Sequence, residues 1–173
     1  RMGHATDWSA YRPPAPRSPG ITVLRDYPVE TLVPYIDWTP FFQAWELSGP
    51  YPKILADAVV GEAARKVHAE GKEMLRKIVR EKWISANGVF GLFPAARVNG
   101  DDIDIYGDET RRAVAMTWHN LRQQNQKPTG RANQCLADFV APKDSGVPDW
   151  VGAFAVAVGG LEAKLAQFEA EHD

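Results

Sequence analysis

The hydrophobic period changes several times along the chain, and each change predicts a different element. Residues 1–20 have no apolar period. Pro13, Pro14, Pro16 and Pro19 punctuate a polar stretch there, which predicts a linker or extended arm ahead of a domain at 21–173. From Tyr27 the pattern turns helical. "PVETLVPYI" predicts a short helix with Pro28 early and Pro34 ending or kinking it. A second start follows at "TPFFQAWEL". Thr39 is placed as N-cap and Pro40 at the first helical position, where its missing N–H costs nothing. "SGPYPK" then breaks the chain.

The strongest helical signal covers Ala56 to Lys82, with Val60, Ala64, Val67, Gly71, Met74 or Leu75, and Ile78 recurring at helical spacing. Glu62, Arg65, Lys66, Glu70, Lys72, Glu73, Arg76 and Lys77 fall between them as a solvated face. At "NGVFGLFPAARVNGDDIDIY" the period shortens. Val89 to Phe93 and the alternating Ile103 and Ile105 predict two antiparallel strands about Asn99-Gly100. "AVAMTWHNL" predicts a strand with Val114, Met116 and Trp118 on one face. "ANQCLADFVAP" and "DWVGAFAVAVGG" are further strand candidates, with "VGG" as a joint. "LEAKLAQFEAEHD" reads as a helix sharing Leu161, Leu165 and Phe168 on a face. The sum is an α+β chain: N-terminal helices, a largely antiparallel twisted sheet and a C-terminal helix. That last pattern has no stop signal, so the sequence reads as cut inside a helix.

Composition narrows the function classes. At 173 residues the chain fits one domain by length. Twenty-two acids against 20 bases give a net charge of −2, which argues against a nucleic-acid binder. No apolar run is long enough to span a membrane, and the opening residues do not lead into the apolar core of a signal peptide. Cys135, the one cysteine, forbids an intrachain disulfide and excludes a cysteine-rich metal site; it fits a reducing cytoplasm. His4, His68, His119 and His172 lie far apart and lack metal-ligand spacing. No phosphate loop or nucleophile elbow is present, and no residue reads as catalytic or metal-binding.

Three segments carry candidate chemistry. Asp101, Asp102, Asp104, Asp108 and Glu109 cluster in "GDDIDIYGDE". Their spacing is not that of a calcium loop, and alternation puts Asp102 and Asp104 on one outward face, so solvated acids are expected. "LRQQNQKPTGR" is a polar, basic loop suited to an acidic partner. Asp37 stands among Tyr35, Trp38, Phe41, Phe42 and Trp45. With Thr39 and Pro40 starting the helix, the carboxylate is not needed as a cap. It is either a surface acid beside a half-buried aromatic cluster or a contact for a ligand with an ammonium group and a flat ring.

"YIDWTPFF", "VVGEAARKV", "GVFGLFPAARVNGDDIDIY", "LRQQ", "CLADFVAP" and "DWVGAFAV" follow one another as in the activation domain of cobalamin-dependent methionine synthase. The chain resembles that family from Tyr27 to its C-terminus. The resemblance implies a methyltransferase fragment that reactivates the enzyme making methionine from homocysteine and methyltetrahydrofolate. It implies S-adenosylmethionine as a cofactor held in part by Asp37, for reductive methylation of cob(II)alamin. Cobalamin itself is expected on a neighbouring domain, with flavodoxin or a methionine synthase reductase as electron donor. The family's other recognised element, an arginine in an Arg-Pro-Ala-Pro-Gly-Tyr segment with a later tyrosine, has no counterpart here. The resemblance therefore implies the N-terminal portion of the activation domain, not competent by itself. A different class of function is a non-catalytic module that docks the cobalamin domain or flavodoxin and binds no small molecule.

Overall fold

The computed structural model describes residues 4–172, and of His172 the backbone alone. Among the described residues, five strands and four α-helices occur in the order β1 (Gly20–Tyr27), α1 (Val29–Leu32), α2 (Thr39–Ala44), α3 (Gly61–Glu81), β2 (Ser85–Val98), β3 (Asp102–Tyr106), β4 (Val114–His119), β5 (Asp149–Gly159) and α4 (Leu161–His172). The sheet runs β1-β2-β3-β4, and β5 also pairs with β2. The α+β expectation holds, with antiparallel pairing of β2 with β3 and of β3 with β4. Contacts divide the chain into two compact units. One is Arg1–Val23 with Val89–Ala155, the other Leu24–Gly88 with Val156–Asp173.

In the first unit, Asn99 and Gly100 both take positive φ, 50° and 84°, and turn β2 into β3 with Val98 opposite Asp102. The loop is three residues, 99–101, and a glycine at a positive-φ position suits so tight a hairpin. Ala95, Ile103, Cys135, Ala137 and Val140 form the core here. "CLADFVAP" was expected as a strand; it is instead a 3-10 turn, Leu136–Phe139. Its apolar run resembles a strand, but the Asp138 carboxylate folds back to accept the Cys135 N–H at 3.1 Å, which closes a turn. Residues 4–19 contain no helix or strand, yet the His4 N–H donates to Asp138 at 3.1 Å and the His4 ring stacks on Phe139.

In the second unit, Phe42, Ile54 and Ala64 are the buried centre, flanked by Trp38, Phe41, Leu47, Leu55 and Val60. α3 starts at Gly61 rather than Ala56, because one Asp57 oxygen accepts the N–H groups of Val59 (2.8 Å) and Val60 (3.0 Å) and fixes a turn ahead of it. Its apolar stripe turns inward at Ala64, Val67, Gly71, Leu75 and Ile78, while Met74 stays exposed. Pro34 converts the chain after α1 into a 3-10 turn, Val33–Tyr35, as its missing N–H requires.

β5 has the expected alternation but little cover: Phe154, Val156 and Val158 are 80%, 75% and 60% exposed. Leu161 and Leu165 of α4 are exposed too.

Candidate functional site

Asp37 sits where the 3-10 turn hands the chain to α2. Its Oδ1 accepts the Thr39 N–H at 2.9 Å. Thr39 is already helical, Pro40 stands at the second helical position, and the N-cap residue Trp38 makes no side-chain cap. The Thr39 hydroxyl instead accepts the Tyr51 N–H at 3.4 Å. This corrects the expectation that Thr39 caps the helix and leaves Asp37 idle. A short carboxylate reaches a backbone N–H two residues on, and here it wins that position. Asp37 is exposed, and its Oδ2 has no partner among the described residues.

The aromatic neighbours separate into two groups. Trp38 lies edge-on to Phe41 (5.2 Å between centroids) and to His68 (4.7 Å), while Phe42 is fully buried beneath them. Tyr35 and Trp45 stay exposed. Phe41 lies so close to α3 that a Cβ at Gly71 would come within 2.7 Å of its ring. That close approach explains a glycine in mid-helix, where it otherwise costs about 1 kcal/mol.

His68, which the sequence set aside only as lacking metal-ligand spacing, is the centre of this group. It contacts Trp38, Tyr51 (5.3 Å) and Phe42 (5.8 Å), and its buried Nε2 has no hydrogen-bond partner. Burial, with the Lys72 charge adding to it, holds its pKa below the ordinary 6.5. As pH falls below 6.5 the unfolded chain takes up the proton first, so the stability His68 contributes is present above that value and is lost as pH falls through the folded-state pKa. His68→Phe should therefore raise the melting temperature more at pH 5.5 than at pH 8. Melting curves at the two pH values check this, and an equal change at both would remove the protonation account. Only the spacing of His68 one helical turn from Ala64 hinted at an inward position.

The acidic cluster and the basic loop were expected at the surface, and the first unit brings them together. Arg122 donates to Asp101 at 3.0 Å through Nε, to the Asn133 carbonyl at 2.6 Å, and to both oxygens of Asp138 at 2.6 and 2.7 Å. The Asp138 side chain is only 2% exposed, and the hydrogen bonds from Arg122 hold its pKa down at about 2. Arg122 is raised above its ordinary value by the same contacts. Lys127 likewise turns inward, to Gln123 and the Ala132 carbonyl. Arg122 and Lys127 are thus spent inside the fold rather than offered to an acidic partner. Asp104 is buried, not solvated: it accepts the Thr117 hydroxyl at 2.8 Å and lies 3.7 Å from Lys143. Lys143, which also stands over the Tyr106 ring, covers the face that alternation alone left open. Asp102 meets His119 Nδ1 at 2.9 Å. The His172 side chain and residues 1–3 lie outside the described residues. This network pairs Arg122 with Asp101 and Asp138, and Asp104 with Lys143, so these charges are spent on one another. The Asp37 carboxylate, by contrast, keeps one oxygen open to solvent.

The family model for the activation domain of vitamin B12 dependent methionine synthase matches residues 28–173. Among solved structures, the crystal structure of the MetH reactivation domain bound to AdoHcy matches 99% of the chain at 53% identity, with a TM-score of 0.83. The chain spans about half of that chain's length, 52%.

Proposed function

The chain belongs to the family of vitamin B12 dependent methionine synthase activation domains, and on that premise we propose that it binds S-adenosylmethionine through Asp37 for reactivation of the cobalamin enzyme. The observation that carries this reading is the AdoHcy held by a domain 53% identical to the chain. The open Oδ2 of Asp37 fits a cationic ligand group: its partner oxygen is fixed on the Thr39 N–H, which sets the carboxylate's orientation before any ligand arrives. A carboxylate accepting from an ammonium group makes a charge-assisted bond, roughly twice as strong as a neutral one.

When bound, S-adenosylmethionine supplies an electrophilic methyl group for the reductive methylation of cob(II)alamin. The chain's own residues bind and orient; none supplies a proton or a nucleophile. Catalysis of this kind rests on positioning. Cobalamin is assigned to a neighbouring domain of the same enzyme, and the electron to flavodoxin or a methionine synthase reductase. The ligand on the relative counts against a module that docks without binding a small molecule. Among the described residues no helix is long and apolar enough to cross a membrane.

Because Asp37 caps α2, the informative variant is Asp37→Asn, which keeps the acceptor for Thr39 and removes the charge. Calorimetry with S-adenosylmethionine, on the chain and on a protein carrying the further length of the relative, should show Asp37→Asn binding about tenfold more weakly or worse. Its melting temperature should stay close to that of the parent. Asp37→Ala should lose both affinity and about 1 kcal/mol of stability. Unchanged affinity in Asp37→Asn would remove Asp37 from the site.

A further inference from the structure

The second unit holds a cleft that the Asp37 reading does not use. It measures about 540 Å³, and α3 forms one wall. Ile36, Trp38, Tyr51, Leu75 and Val79 line it with apolar and aromatic surface. Lys72, Arg76 and Arg80 stand on successive turns of α3 along that wall. Residues four apart lie on one helix face, and like charges at that spacing repel. Lys72 and Arg76 make no hydrogen bond or ion pair among the described residues, and Arg80 reaches only Glu81, at 3.3 Å on the surface. Glu30 is the one acid in the lining. Three cations against one acid therefore border an apolar space of the size that holds a small molecule, roughly 300–1,000 Å³.

We propose that this cleft binds an organic anion: a carboxylate, sulfonate or phosphate monoester with a flat or branched apolar body. The body rests on Trp38, Leu75 and Val79, and the anionic head meets Arg76 and Lys72. Lys72, Arg76 and Arg80 are exposed, so the apolar wall carries much of the affinity and their charges set the preference for an anion. The charge preference is opposite to that of Asp37. The wall repels a sulfonium or ammonium group and attracts a carboxylate.

A nuclear magnetic resonance titration of the ¹⁵N-labelled chain tests this with a matched pair of probes. Naphthalene-2-carboxylate and the trimethyl(2-naphthyl)ammonium cation share the ring and differ in charge. The anion should shift the Trp38 indole and the amides of residues 72–80, binding at least about tenfold more tightly than the cation. Arg76→Glu, a surface change that leaves the fold intact by circular dichroism, should weaken the anion by a similar factor. Asp37→Asn should leave it unchanged, so this test stands apart from the S-adenosylmethionine reading. Equal affinity for both probes, shifts away from the cleft, or an anion indifferent to Arg76→Glu each overturns the proposal. So does loss of the shifts in the protein carrying the relative's further length, because the cleft is then filled by polypeptide.

Discussion

Replacing Asp138 with alanine should cost about 3–5 kcal/mol, the loss seen when one partner of a buried ion pair is removed. Asp138 accepts both Arg122 terminal nitrogens and the N–H groups of His4 and Cys135, and it lies 3.7 Å from Arg97. Without it, Arg122 keeps only Asp101 and the Asn133 carbonyl, and two backbone donors lose their acceptor. The Arg122–Asp101 pair offsets little, because Asp101 is 41% exposed and water screens it. This figure is the cost of truncation, not the net worth of the network. Asp138→Asn should fall nearly as far, since its amide hydrogens face a guanidinium. Urea unfolding checks both variants, and a loss below about 1 kcal/mol would show that the network relaxes around the gap. The pH dependence has a defined sign. The Asp138 pKa drops from 3.8 unfolded to about 2 folded, so its contribution is complete above 3.8 and disappears as pH falls to about 2.

The second large effect is expected at the joint between β5 and α4. Gly160 has φ +86°, and a Cβ there would press into the Trp83 carbonyl oxygen and sit 3.4 Å from the Ile84 Cα. Both obstacles are backbone, so neither can swing aside. Gly160→Ala should cost about 2–4 kcal/mol from the left-handed conformation and the overlap together. The Gly160 carbonyl also accepts the Lys164 N–H at the start of α4. That helix is tied to Trp83 by Lys164, 4.3 Å above the ring, and by Phe168 at 5.4 Å. Hydrogen exchange should therefore quicken through Leu161–His172 before the rest of the second unit responds. Uniform quickening, or none, would mean that the joint does not hold α4.

Much of the architecture was readable from periodicity, and the failures have physical causes. The β2–β3 hairpin announces itself because Asn99-Gly100 demands positive φ that few other pairs supply. β1 gave no such notice. Ile21 and Val23 alternate correctly, but both are exposed, so no buried face reinforces the pattern. "CLADFVAP" misled because the residue deciding its shape, Asp138, answers to an arginine 16 positions away. The same distance effect hid the fate of the acidic cluster. For Asp37 the sequence pointed to Thr39 as the cap, and only backbone geometry shows the Asp37 carboxylate accepting the Thr39 N–H instead. Resemblance implied a ligand contact at this residue, while periodicity saw neither its bond to the Thr39 N–H nor the aromatic group around His68.

The bareness of β5 bears on how the chain must be handled. From Trp150 to Gly159 the strand contains no charge and no proline, and "AFAVAVG" alternates alanine with phenylalanine and valine. Segments of this kind nucleate strand-to-strand association between molecules when left uncovered. Folding here competes with a second-order process, so dilution favours the native chain and crowding favours the aggregate. Yield on refolding is then set by protein concentration, with β5 as the segment to which a single well-placed lysine would bring the largest gain in solubility.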